Sequence, residues 1–377
     1  MLKPLVMLIA GLLMVAAPAA VAQDPLQDER ILLTFVPNIQ FAPFYLGIEA
    51  GHFAEAGFAV SLDHLQEPEV LDLVAVGRAN YGVVSGEQVI LARSQGRDVV
   101  YVFEWFQQYP VGLVYDSALA LAGLDDLRDK TIGLPGRFGA SYSGLTALLH
   151  SANLTEADIE ISEIGFNAPE VFCLGLVDAA VVYINNEPLQ IQQLADAGDC
   201  GDVQAVAATS VAQQVDLVSN GLIINRALLD DDPAAAQRMV GAFAEALRAT
   251  IDNPAAAYLA SLAHVESLPR AAPLLEALES AADAQHDFLR GLPSRAEVAA
   301  SRADLAKQLK SRFAAPVLAQ FVILLSTIEL WDADQLGKSD LASWRAMRDT
   351  LQRMGFLGEA PVELASAFSN QFVLAAE

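Results

Sequence analysis

The stretch "ILLTFVPNIQFAPFYLGIEAGHFAEAGFAVSLDHL", Ile31 to Leu65, decides the fold class. "ILLTFV" is a short apolar run of the kind shown by a strand buried on both faces. The polar turn around Asn38 and Gln40 breaks it. "FAPFYLGIEAGHFAEAG" then reads as one helix ending at Gly57, and "FAVSLDHL" as a second strand. The alternation continues outward. "EPEVLDLVAVGRA" and "GEQVILARSQG" are helical, and "YGVVS" and "DVVYVFEW" are strands. Strands and helices in this order imply a mostly parallel sheet with helices on both faces.

The pattern then restarts. "TIGLP", "IEISEIG", "AAVVYI" and "VQAVAA" are strands, with helices from about Ser141 to Ser151, at "APEVFCLGLV" and at "EPLQIQQLADAG". Two α/β units in one chain imply two lobes. Lobe 1 is expected to hold residues 23–115 plus 220–377, and lobe 2 residues 116–219. Segments near Trp105–Tyr115 and Val215–Ile224 sit at the two changes of unit and are candidate hinge strands. After Asn225 everything reads as helical, with breaks at Pro254, Pro269, Pro273 and Pro293. This C-terminal segment is expected to pack back on lobe 1.

The first residues, "MLKPLVMLIAGLLMVAAPAAVAQ", carry one cation, Lys3, an apolar core and a small-x-small ending at Ala20-Val21-Ala22. They read as a secretory signal peptide, residues 1–22, cut after Ala22. The alternative, an uncleaved anchor, is disfavoured because the run is short for a span of ~20 residues. The formal charge is −25, so neither nucleic acid nor an anionic membrane is expected as a partner. The two cysteines, Cys173 and Cys200, form a disulfide in an oxidising compartment or remain two buried thiols. A bridge would contribute on the order of 3 kcal/mol by loop closure.

Ligands of open α/β sheets bind beyond the carboxyl ends of the strands, and four loops lie there. "VPNIQFAPFY" offers Asn38, Gln40, Phe41, Phe44 and Tyr45. "VVSGEQ" offers Ser85, Glu87 and Gln88. "GLPGRFGASY" offers Gly136, Arg137, Phe138, Gly139, Ala140 and Tyr142. "VVYINNEP" offers Tyr183, Asn185, Asn186 and Glu187. A nucleotide-binding loop would need Lys-Ser or Lys-Thr after its last glycine, which the third loop lacks. Amide side chains suit the edge of a neutral heterocycle, aromatic rings its face, and helix-opening N–H groups a carbonyl or anionic oxygen. "EWFQQYP" adds Trp105, Phe106, Gln107 and Tyr109 near the hinge. Each residue has a plainer reading. Phe41, Phe44 and Tyr45 fall at helical spacing and serve equally as core. Ser85, Asn185 and Asn186 serve equally as helix caps. The five histidines show no metal-ligand spacing, so neither a metal nor a cofactor is expected.

At "VPNIQFAPFYLGIEAGHFAEAGFAV", "VVSGEQV", "GLPGRFGASYSGL", "VVYINNEPLQI", "LVSNGLII" and "AFSNQFV" the chain resembles periplasmic solute-binding proteins of ABC importers. The branch it resembles captures thiamine pyrimidine precursors and riboflavin. The resemblance implies an α/β, two-lobed periplasmic-binding-protein fold (type II) with hinge strands and a helical C-terminal segment. It implies a ligand closed between the lobes, a membrane ABC permease as partner, and a monomer in the periplasm. By the same carry-over Asn38, Tyr45, Ser85, Glu87, Gly136–Ala140, Tyr142, Asn186 and Glu187 lie near ligand. "VVSGEQV", "EWFQQYPVGLV" and "GRFGASYSGL" look most like the riboflavin-capturing members, while "YINNEP" is shared with pyrimidine binders.

Fungal pyrimidine synthases share this fold and hold pyridoxal phosphate on a lysine of the first lobe. Here Gln23 to Asp129 contains no lysine, and a Schiff base needs one. A binder rather than an enzyme is therefore expected. A binder of sulfonate or nitrate would call for a cationic cleft, for which Arg137 is the one candidate cation in the loop.

Overall fold

The computed structural model describes residues 25–119, 121–358 and 362–373; the expected signal peptide lies outside them. The chain builds one lobe, crosses to a second, and returns. In the first lobe β1 (Gln27–Thr34), α1 (Ala42–Glu49), α2 (His52–Glu55), β2 (Phe58–Leu65), α3 (Glu67–Ala75), β3 (Tyr81–Ser85), α4 (Gly86–Ser94) and β4 (Val99–Glu104) follow in order. The second lobe holds β5 (Val111–Asp116), β6 (Thr131–Leu134), α5 (Gly139–Ser151), β7 (Glu160–Glu163), α6 (Ala168–Cys173), β8 (Ala179–Tyr183), α7 (Glu187–Ala197) and β9 (Val206–Ser210). The returning strand β10 (Asn220–Asn225) re-enters the first sheet.

The first sheet has the order β2-β1-β3-β10-β4 and the second β7-β6-β8-β5-β9. In both, the strand laid down straight after a crossing runs antiparallel to its neighbours: β5 between β8 and β9, β10 between β3 and β4. The remaining pairs are parallel. The expected boundary at residue 115 is thereby corrected. Val111–Tyr115 pairs in the second sheet, so the first crossing is 105–110. The second is 211–219, because strand structure begins only at Asn220. The single helix expected over 41–57 is two, parted at Gly51, whose φ of 85° a side chain would resist.

Helices α8 (Arg226–Asp231), α9 (Pro233–Asp252), α10 (Pro254–Ser261), α11 (Ala272–Leu289), α12 (Arg295–Arg312), α13 (Ala315–Trp331) and α14 (Leu341–Arg353) complete the chain. Prolines at their starts and side-chain caps such as Asp232 and Ser294 set their entries. One apolar core joins a face of the first sheet to α1, α9, α10 and α13. A second runs without a break from the other face, with α3, α4 and α14, into the second lobe through α5. A third lies under α6 and α7. Cys173 and Cys200 are joined in a disulfide that pins the end of α6 to the loop after α7. Among the described residues no helix is long and apolar enough to cross a membrane.

Candidate functional site

Between the lobes lies a cavity of about 860 Å³ of space between atoms, part of it open to solvent. Its walls come from strand ends and helix starts of both lobes, as the carboxyl-end rule requires. Aromatic rings dominate. Phe35, Phe41, Trp105 and Phe106 come from the first lobe and its crossing, and Phe138 and Phe166 from the second. Phe35 and Phe166 meet across the gap edge to face, with ring centroids 4.7 Å apart. Trp105 is fixed from behind by stacking on Trp331 of α13 at 5.5 Å. Phe35 has φ 68°. A bulky residue in the left-handed region is strained, and such strain persists where the surroundings over-determine it.

Polar groups are few and placed. Asn38 caps a one-turn helix, Ile39–Phe41, by accepting the Gln40 N–H at 2.8 Å. That turn aims Gln40 at the cavity, where its Oε1 accepts Asn186 Nδ2 of the second lobe at 3.1 Å. Glu187 opens α7; its Oε2 accepts the Tyr183 N–H at 2.9 Å and its Oε1 accepts Asn186 Nδ2 at 3.2 Å. Burial pushes the Glu187 carboxyl up to about 7, against the lowering effect of these donors. Tyr183 donates its hydroxyl to Asn220 Oδ1 at 2.9 Å, again from lobe to lobe. Gln40 Nε2 and Trp105 Nε1 are buried donors without a partner among the described residues. Such groups cost about 1–3 kcal/mol each unless something accepts from them.

Glu67 was not foreseen. It opens α3 as Glu187 opens α7, each followed by proline. Its Oε1 accepts both the N–H and the hydroxyl of Ser85, each at 2.6 Å. Its Oε2 accepts the Ala140 N–H at the start of α5 at 2.9 Å. Gly139 has φ 65°, and a Cβ there would collide with this carboxylate. Ser85 also meets Glu87 Oε1. One hydroxyl proton cannot serve two carboxylates, so the Glu67–Glu87 pair holds a proton between them. With three donors on Glu67, the proton resides on Glu87, whose pKa burial and the neighbouring Glu67 charge push up to about 8. Burial likewise raises Glu67.

Of the residues singled out in the sequence, Gln40, Phe41, Trp105, Phe106, Phe138, Gly139, Ala140, Tyr183 and Glu187 line the cavity, with Asn186 bonded to Gln40 and Glu187. Ser85 and Glu87 lie fully buried behind Glu67. Asn38 acts through Gln40. The others point elsewhere. Tyr45 is in the core of the first lobe, stacked on His264 at 4.7 Å. Gln107 donates to the Glu104 carbonyl. Gly136 adjoins the cavity-lining loop without lining it. Arg137 turns outward to Glu156 and Glu163. Tyr142 bonds Glu156 and stacks on Phe356. Asn185 donates to Thr327 of α13 at 2.8 Å, fastening the lobes outside the cavity.

A family model described as NMT1/THI5 like matches residues 38–257. The chain is 30% identical, over 95% of its own length and 89% of the other's, to the riboflavin-binding protein RibY of Chloroflexus aurantiacus. It is 22% identical, over 51% of its length and 65% of the other's, to a 4-amino-5-hydroxymethyl-2-methylpyrimidine phosphate synthase of Legionella pneumophila. In three dimensions it is similar to the ligand-binding component of an ABC-type import system from Staphylococcus aureus. There the TM-score is 0.60 at 10% identity, covering 93% of this chain and 99% of that one.

Proposed function

The chain belongs to the NMT1/THI5-like family, and from that premise we propose that it is the solute-binding component of an ABC importer capturing riboflavin between its lobes. The observation that carries this reading is the cavity wall. Seven aromatic rings from two lobes surround a handful of fixed amide and carboxyl groups. A flat ring system with carbonyl acceptors and an imide N–H matches that set. Trp105 and Phe166 offer faces, Gln40 Nε2 and Trp105 Nε1 donate to carbonyls, and Glu187 accepts the N–H. The 30% identity to a riboflavin-binding protein over nearly the whole chain supports the choice of ring.

Capture works by closure. Each lobe holds half of the ligand's partners, so the closed form is favoured by the extra contacts it alone makes. A permease in the inner membrane would then recognise that form. The leader, cut after Ala22, would deliver a monomer to the periplasm, and the Cys173–Cys200 bridge suits an oxidising compartment.

The synthase relative raises an enzymatic alternative, but the chemistry does not favour it. No lysine stands between Gln23 and Asp129, and none lines the cavity among the described residues, so a Schiff-base cofactor has no anchor there. Competition titrations decide among ligands. Riboflavin should bind saturably, and formylaminopyrimidine and an alkylsulfonate should fail to displace it; displacement by either would reassign the site.

A further inference from the structure

The cavity contains an anion of the protein's own making. Glu67 is in its wall, and the carboxylate takes three donors: the Ser85 N–H, the Ser85 hydroxyl and the Ala140 N–H. Ala140 is the second residue of the 13-residue helix α5. The free N–H groups of such a helix start, with the positive end of its dipole, form a place where a ligand's anionic oxygen settles. Here the opposite lobe has put a carboxylate into it. Gly139 makes the fit possible, since a side chain there would displace Glu67. Glu87 holds the shared proton through Ser85, which leaves the charge on Glu67. No lysine or arginine lines the cavity among the described residues, and Arg137 is committed to Glu156 and Glu163 on its own lobe.

We propose that Glu67 is the specificity-determining residue that bars anions: its carboxylate fills the start of α5 from across the cavity and restricts the site to uncharged ligands that donate hydrogen bonds. This deepens the reading above and rests on it for the location of the site. An incoming sulfonate or phosphate would meet a fixed like charge in a poorly hydrated wall and would find the Ala140 N–H taken. An uncharged ring with N–H or hydroxyl donors meets an acceptor instead. The same carboxylate joins the lobes, so closure and the exclusion of anions come from one group.

The test is calorimetric titration of the mature protein with ethanesulfonate, a small anion without a ring, run beside riboflavin. Wild type should give no saturable binding of ethanesulfonate. Glu67→Gln, which keeps the shape and removes the charge, should bind it at least about tenfold more tightly. Glu67→Ser serves as a second variant should the amide misfold, and a thermal melt checks both. Saturable binding of ethanesulfonate by wild type would overturn the proposal whatever the variants do. So would folded variants that bind it no better than wild type. If riboflavin fails to bind while the ethanesulfonate contrast appears, the vitamin assignment falls and the role of Glu67 stands.

Discussion

Asn186 Nδ2 donates to Gln40 Oε1 at 3.1 Å, and the two residues belong to opposite lobes. The bond links the entry of α7 to the one-turn helix shaped by Asn38. It joins the two lobes across the cavity, and under the proposed capture by closure its energy would count toward the closed form.

Gln40→Ala and Asn186→Ala should each weaken ligand binding by about 1 kcal/mol or more, with melting temperature little changed. The double variant should lose less than the sum of the two, because the residues share one bond. Calorimetric titration of the four proteins reads the coupling directly; strict additivity would place the two residues in separate roles. Asn38→Ala should mimic Gln40→Ala weakly, since Asn38 acts by positioning the turn.

Glu187→Ala should cost about 1–3 kcal/mol of binding, the loss that follows from leaving a ligand donor without its buried acceptor. Glu187→Gln should recover part of it. Tyr45→Ala belongs to a different class. The ring is packed in the first lobe against His264, so the variant should lose about 3–5 kcal/mol of stability while any folded fraction binds normally. Chemical denaturation and titration separate the two effects.

Stability should fall as the pH rises from mildly acidic to mildly alkaline. Burial raises Glu187 to about 7, and Glu87 and Glu104 to about 8. A carboxyl whose folded pKa lies above its unfolded value contributes fully below the unfolded value, near 4.5, and loses that contribution as pH climbs through the folded one. Melting curves between pH 5 and 9 on the order of one-unit steps read this slope. Glu87→Gln should flatten it; a melt that rises steadily with pH would contradict the burial of these groups in neutral form.

Reduction of the Cys173–Cys200 bridge closes a sequence separation of 27 residues no longer, and should remove on the order of 3 kcal/mol. The melt with and without reductant gives the answer, and an unshifted melt would argue against the bridge in solution.

The fold was legible because the alternation of apolar strands and helices is a local signal. What escaped it was tertiary. The run through Val111–Tyr115 is apolar whichever sheet it joins, so its pattern could not say that β5 pairs with β8 and β9. The apolar spacing carries on across Gly51, and only its backbone angle reveals the break. At the site, residues on strand-to-helix turns were readable: Gln40, Gly139, Glu187. Arg137 drew notice by its charge, yet a guanidinium is cheapest in water beside Glu156 and Glu163. Tyr45 fitted core and cleft equally by spacing. Glu67 was missed although "EP" opens its helix as it opens that of Glu187, a repeat in the sequence that marks both carboxyls. Phe35 and Phe166 carried no signal, because an aromatic at a loop reads the same whether it faces a cavity or a core.

Native mass spectrometry and the visible spectrum of freshly purified protein test the central claim most directly. The protein should be yellow, or turn yellow on addition of riboflavin, carrying one flavin per chain that Glu187→Ala holds less tightly. A colourless protein that retains no flavin mass after incubation with excess riboflavin would contradict it.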